Sequence, residues 1–352
     1  MLYREFGCAN RKNTHYMDRY CKRFSILTVV FLHTHNGYDT SGKAVFYINK
    51  WITSFHMALF FVFAGYFFKI PNTLANIKKE IKKKARSLLI PYIIWGCVIG
   101  FFVENIRLLL RTGTVGEIIV TLSRFITGRK FFMVVPWFLF VLMGVYFVEY
   151  LLSLIIKDYS KKTIVWVVFS CLCLPLGYFI GRYPFSEYFR ISLILISCFF
   201  FAFGMVLKQI MDRITSIKQI YQLLLGISVV LLGGIICVVN GKVSYFIGQF
   251  GNEVLHTISA LSTTTGLSIL IYYLHQNKWF DLPGRFLEFF GSHSVIVFLT
   301  HPILLYGIRI VEKIFHMEIH TFPAIPAFII VVALQYALIR FMPKNLLWTF
   351  GK

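Results

Sequence analysis

The sequence predicts an all-α, polytopic membrane protein of about ten transmembrane helices, with the N-terminus and the C-terminus both cytoplasmic. Three observations carry that reading. Hydrophobic residues make up 57% of the 352-residue chain and charged residues only 14%, where a soluble domain carries about 25% charged. The apolar residues come in runs close to the ~20 that a helix needs to cross a bilayer. Lysine and arginine gather in alternate connections between those runs. No polar block is large enough to fold apart, so residues 1–352 read as a single membrane domain. Within it, 1–23 is a basic cytoplasmic segment, 24–341 the transmembrane bundle and 342–352 a cytoplasmic tail. Residues 1–23 are polar and no A-x-A-like site follows the first apolar run, so no cleavable signal peptide is expected.

The spans are expected at 24–41, 45–69, 87–105, 131–152, 163–181, 189–207, 220–239, 255–274, 286–310 and 323–341. The first has a clean apolar core only from Phe24 to Leu32. Such a short, polar helix is expected to be buried by its neighbours. Orientation follows from counting basic residues. With the N-terminus inside, the inner segments hold 24 of the 36, and "KKEIKKKAR" (78–86) is the strongest marker. The outer segment 104–130 is the exception, with Arg107, Arg111, Arg124, Arg129 and Lys130. It is long enough for a re-entrant or interfacial helix that caps an outward cavity. No internal repeat is evident, so the signature of many transporters is missing.

Composition also excludes. The net charge of +21 is explained by topogenic residues beside anionic headgroups. No basic stripe interleaves with aromatics, so nucleic-acid binding is not expected. Seven cysteines form no CxxC pair and lie mostly in apolar runs, as packing residues do.

Three ionisable residues lie deep in the spans. They are His33 in the first, His56 in the second and His301 in the ninth. Such residues are costly in hydrocarbon and are functional candidates by default. Counting from the span ends puts all three between the middle and the outer half of the bilayer. Lys22 precedes His33 by eleven residues, about three turns plus 20°, so the two share a face ~16 Å apart along the axis. Asp18 stands four residues before Lys22, the spacing of a helical ion pair. Arg23 adds to the charge at the inner mouth. Ser294 and His301 are seven apart, again nearly on one face. The "STTT" at 262–265 reads as interhelical packing.

These phrases, in order, resemble the acyltransferase family 3 integral-membrane proteins. "KRFSILTVVFLH" is similar to the family's opening basic residue, ten residues, then histidine. "FHMALFFVFAGYF" resembles its second-span phrase, with His56, Met57, Phe60, Phe61, Gly65 and Tyr66 in place. "RSLLIPYIIW" (86–95), "PWFLFVL" (136–142, with Trp137) and "SVIVFLTHP" (294–302) resemble the later ones. The chain departs with Lys22 for the usual arginine, Asp18 one residue out of register, and Ala58, Ala64 and Phe298 for Pro, Ser and Tyr.

The resemblance implies an O-acyltransferase that moves an acyl group, mostly acetyl, from cytoplasmic acetyl-CoA to a hydroxyl of a cell-surface or lipid-linked glycan. It implies a cell membrane location, that of a bacterial cytoplasmic membrane. Lys22, Arg23 and Arg86 would hold the CoA phosphates. His33 would be the general base, or alternatively a transiently acylated nucleophile. His56 and His301 would orient His33 or bind the acceptor, with Asp18, Trp137 and Ser294 as positioning residues. No metal is expected, since no carboxylate or cysteine shares the histidines' level. Two other readings stay open. One is a transporter or flippase for a small solute or lipid-linked sugar; the other is a non-catalytic family member. Oligomeric state is not read from the sequence.

Overall fold

The structure, a computed structural model, describes residues 22–35, 43–71, 73–96, 136–156, 162–277, 280–315 and 324–352. They form the helices α1 (Lys22–His35), α2 (Lys43–Tyr66), α3 (Leu74–Trp95), α4 (Trp137–Ile155), α5 (Lys162–Gly181), α6 (Ile191–Ile214), α7 (Gln219–Val239), α8 (Glu253–His275), α9 (Asp281–Ser292), α10 (Ser294–Ile314) and α11 (Ala324–Phe341). Short 3-10 segments run over Pro184–Arg190 and Lys344–Phe350. Among the described residues the one β-type pairing is an isolated bridge between Ser244 and Gln249.

Helix is the form this composition demands. In hydrocarbon every backbone N–H and C=O must be satisfied within its own segment. Six of the helices are long and apolar enough to cross a membrane, and eight crossings result if each of two bent pairs counts as one. Their outer faces confirm the solvent. On α5, Ile164, Val168, Leu172 and Phe179 are all more than half exposed. On α7, Ile220, Leu224, Leu231 and Ile235 are equally bare. Apolar stripes of that length meet lipid, not water.

The structure adds detail at three of the expected spans and breaks one of them. The helix that leads into the span placed at 87–105 begins much earlier, since α3 starts at Leu74 and carries the basic run ahead of the apolar stretch. Thr73 caps it, its hydroxyl accepting from the Asn76 amide at 3.2 Å. The span placed at 286–310 is not one rod: α9 and α10 meet at an angle of 83°. The last helix also turns, by 118°, into the 3-10 segment after it. The expected first span is a short helix; its tail at 36–41 and the segment 104–130 lie outside the described residues.

The described residues cluster into two compact units. The first holds α1, α2, α7 to α11 and the part of α6 from Gly204 onward. The second holds α3, α4, α5, the earlier part of α6, both 3-10 segments and Tyr245–Gly248.

In the first unit α1 packs against α2, α9, α10 and α11. Its Ser25, Ile26, Val29, Val30 and Thr34 are buried, which explains how so short a helix is held. Thr28 and Thr34 satisfy themselves, donating to the Ser25 and Phe31 carbonyls, each at 2.7 Å. The helices α7 and α8 pack through small residues, which let backbones approach closely. A Cβ on Gly233 would stand 2.2 Å from the Thr263 hydroxyl and 2.9 Å from the Ser259 carbonyl. Asn252 caps α8, its side chain accepting from the Val254 and Leu255 amides at 3.1 Å.

In the second unit α3 lies against α4. Lys84 sits 4.0 Å above the Tyr146 ring. On α5 the buried stripe is Trp166, Ser170 and Cys173, at helical spacing.

Candidate active site

The first unit brings the three sequence-predicted histidines together. His33 is half-buried on α1, while His56 on α2 and His301 on α10 are buried. The rings of His33 and His301 are 5.0 Å apart, centre to centre, tilted by 46°. His33 is within electrostatic reach of both His56 and His301.

Two of the three are fixed in the same way. The Nδ1 of His56 lies 3.0 Å from the Ile52 carbonyl, and that of His301 lies 3.0 Å from the Val297 carbonyl. A carbonyl only accepts, so Nδ1 carries the hydrogen in each ring. In the neutral ring Nε2 is then the lone-pair nitrogen. The Nε2 of His301 is buried and meets no hydrogen-bond partner within the protein. A buried polar atom left so is costly unless something else fills the place. The preceding turn of each histidine's own helix thus sets its tautomer and leaves Nε2 as the basic nitrogen.

Supporting contacts hold the cluster. Thr300, beside His301, contacts the Ile296 carbonyl at 2.7 Å and the Gln335 side chain of α11 at 3.0 Å. Its single hydroxyl hydrogen is shared between two acceptors, the Ile296 carbonyl and the Gln335 Oε1. The backbone of Ser54, two residues before His56 on α2, accepts a hydrogen bond from His256 of α8. His256 is fully buried, its ring 4.9 Å from that of Phe250.

The remaining predicted residues stand as follows. Lys22 and Arg23 open α1, the helix that carries His33, but their side chains lie outside what is described, as does Asp18. Ser294 starts α10 and is half-buried; His301 lies two turns along the same helix. The break before Ser294 corrects the depth expected for His301, which was counted from residue 286. Trp137 is buried at the start of α4, and Arg86 is exposed on α3. Both belong to the second unit.

Besides Arg190 in the first 3-10 segment, two buried charged or histidine side chains escaped the sequence reading. One is His256. The other is Glu149 on α4, which is wholly buried. The Trp166 indole donates to its Oε2, while Oε1 is buried with no hydrogen-bond partner. The signal for Glu149 was present: it is the lone charge in "WFLFVLMGVYFVEYLLSLI". His256 gave less, because it sits one turn from the polar start of α8.

A multi-pass helical membrane protein with clustered intramembrane histidines defines the class. A family model for the acyltransferase domain of acyltransferase family 3 matches residues 15–339. The chain belongs to that family and is a membrane acyltransferase. No curated protein and no solved structure matches it.

Proposed function

We propose that this chain O-acetylates a glycan, taking acetyl from cytoplasmic acetyl-CoA and placing it on a hydroxyl of a cell-surface or lipid-linked sugar. The observation that carries the reading is the His33–His301 pair, with ring centres 5.0 Å apart inside an acyltransferase. His33 takes the proton of the acceptor hydroxyl. The freed oxygen attacks the thioester carbonyl carbon, the tetrahedral intermediate collapses, and the C–S bond breaks. The proton passes from His33 to the departing CoA thiolate, so His33 is restored. His301, holding its hydrogen on Nδ1, offers Nε2 as an acceptor that orients His33 or the acceptor hydroxyl. His56 does the same from α2.

Lys22 and Arg23, at the start of α1, take the donor's phosphates, with Arg86 and the basic run of α3 as the other candidates. The separation of Lys22 from His33, ~16 Å along one helix, suits phosphates at one end of the pantetheine arm and the thioester at the other. The topology that goes with this is ten crossings with both termini cytoplasmic. Up to eight come from the helices long enough to span, one from the short α1, and one from the stretch begun by α3.

Purified protein in liposomes, given labelled acetyl-CoA and the glycan of its host, tests the reading. His33→Ala should accumulate normally and lose at least ~100-fold in transfer, the usual contribution of a general base. Near-wild-type transfer by that variant would sink the assignment. Lys22→Ala should weaken acetyl-CoA binding more than Lys22→Arg does. Equal affinities across the three proteins would remove Lys22 from the donor site.

A further inference from the structure

The second unit contains a polar cavity that the proposed chemistry does not use. It has a volume of about 270 Å³ and lies where α5 ends and α6 begins. Arg182, Glu187, Arg190, Ser186 and Ser192 line it, and Ile247 and Gly248 close one side. We infer that this cavity is a saccharide subsite that holds one uncharged sugar ring of a glycan. The inference shares with the proposed function only the idea of a glycan acceptor.

Volume comes first. Pockets for drug-sized ligands run from about 300 to 1,000 Å³, so this one suits a single ring. Chemistry comes second. Guanidinium groups donate in a planar fork, and a carboxylate accepts with two oxygens. A wall that carries both matches vicinal hydroxyls, which donate and accept at once. Serine hydroxyls add contacts of either sense. A phosphate or sulfate fits less well, because Glu187 repels an anion. Arg190 is also already committed: it is only 4% exposed, and its Nη1 donates to the Phe246 carbonyl at 2.8 Å.

The rim supplies the third element. Tyr183 and Phe185 are both about half exposed, and their rings stack at 5.9 Å with 22° between planes. Tyr183 lines the cavity, and its flat ring, backed by Phe185, gives the C–H face of a pyranose a platform. An interfacial aromatic belt accounts for exposed rings but not for a cavity with guanidinium and carboxylate behind them. The backbone is also unusual here. Phe189 and Arg190 take φ of 55° and 52°, a left-handed conformation that costs non-glycine residues of order 1–3 kcal/mol each and gathers at functional sites. That conformation turns Arg190 inward and Phe189 out.

Position agrees. The cavity lies at the far end of α5 from its start at Lys162, which the sequence reading puts on the inner side, and α5 at 20 residues is about one hydrocarbon thickness long. By the positive-inside rule the cavity opens outward, where a surface glycan is found.

The test measures binding to the full chain in lipid nanodiscs, away from sugar-based detergents and with no acyl donor. The probes are methyl pyranosides of glucose, galactose, mannose and N-acetylglucosamine, read by saturation-transfer difference NMR. At least one should bind, with affinity at least ten-fold weaker in both Glu187→Gln and Arg182→Gln. His33→Ala should bind it as the wild type does. Binding by none of the probes overturns the inference. So does binding that both pocket variants retain, or that His33→Ala loses. Inorganic phosphate or an anionic lipid displacing the sugar in a Glu187-dependent way would instead make this a headgroup site. Sugar binding without acyl transfer would sink the proposed function and leave this subsite standing, and the converse holds.

Discussion

His56 and His301 each donate Nδ1–H to the carbonyl four residues earlier. That bond is available to any helical histidine with the right rotamer, and in both rings it leaves Nε2 as the lone-pair nitrogen. Glu149 is a different case. It is a buried carboxyl with one indole donor, from Trp166, and one oxygen that meets no protein donor. Removing the donor should cost about 1–3 kcal/mol, the price of stranding a buried acceptor. Trp166→Phe is therefore expected to lower the thermal midpoint, and Glu149→Leu in the same chain should recover part of the loss. A Trp166→Phe midpoint equal to wild type would show that the indole bond is not needed.

At the scale of elements, close approach decides. A Cβ on Gly204 would stand 1.9 Å from the Val62 carbonyl and 2.7 Å from the Tyr66 amide. Backbone cannot yield as a side-chain tip can. Gly204→Ala should therefore push α6 off α2, the helix of His56, and cut the yield of folded protein in size-exclusion chromatography. Gly307 on α10 has open space around its added Cβ. There, alanine should be neutral or stabilising by up to about 1 kcal/mol, from helix propensity alone. The same substitution with opposite outcomes separates packing from propensity.

The pairing of α3 with α4 carries a pH dependence. Burial lowers the Lys84 amine to about 8, against the opposing pull of Glu80 and with help from Lys83. Below that value the folded state holds a charge it would rather lose, while the unfolded chain keeps its proton up to about 10.4. Between the two the unfolded state binds more protons, so stability rises with pH. Thermal midpoints should climb from pH 7.5 to 9, and Lys84→Met should flatten the climb. A climb of equal size in that variant would assign it to another group.

For the whole molecule the open quantity is the path through the bilayer. Ten crossings with both ends inside predict that green fluorescent protein fused after Lys352 fluoresces. Alkaline phosphatase inserted at Gly248 should be active only if that loop faces outward. The reverse pattern would turn the topology over and with it the donor side.

The sequence by itself determined the class and the family. Lipid as solvent forces helical runs that can be counted, and the phrases around Lys22, His33, His56 and His301 are local in the chain. It also named all three histidines, because a charge-capable group in an apolar run is visible without a structure. Only the tertiary structure decided the rest. It placed His33 beside His301, which stand far apart in sequence and meet only because α1 is buried among α2, α9, α10 and α11. It broke the ninth span at His293, where no proline marks the bend. It gave His256 and Glu149 their partners, Ser54 and Trp166, which no periodicity pairs. Helix formation and lipid exposure follow from each residue and its near neighbours. Which helices share a polar interior depends on close backbone contacts such as Gly204 with Val62, and those exist only once the chain has folded.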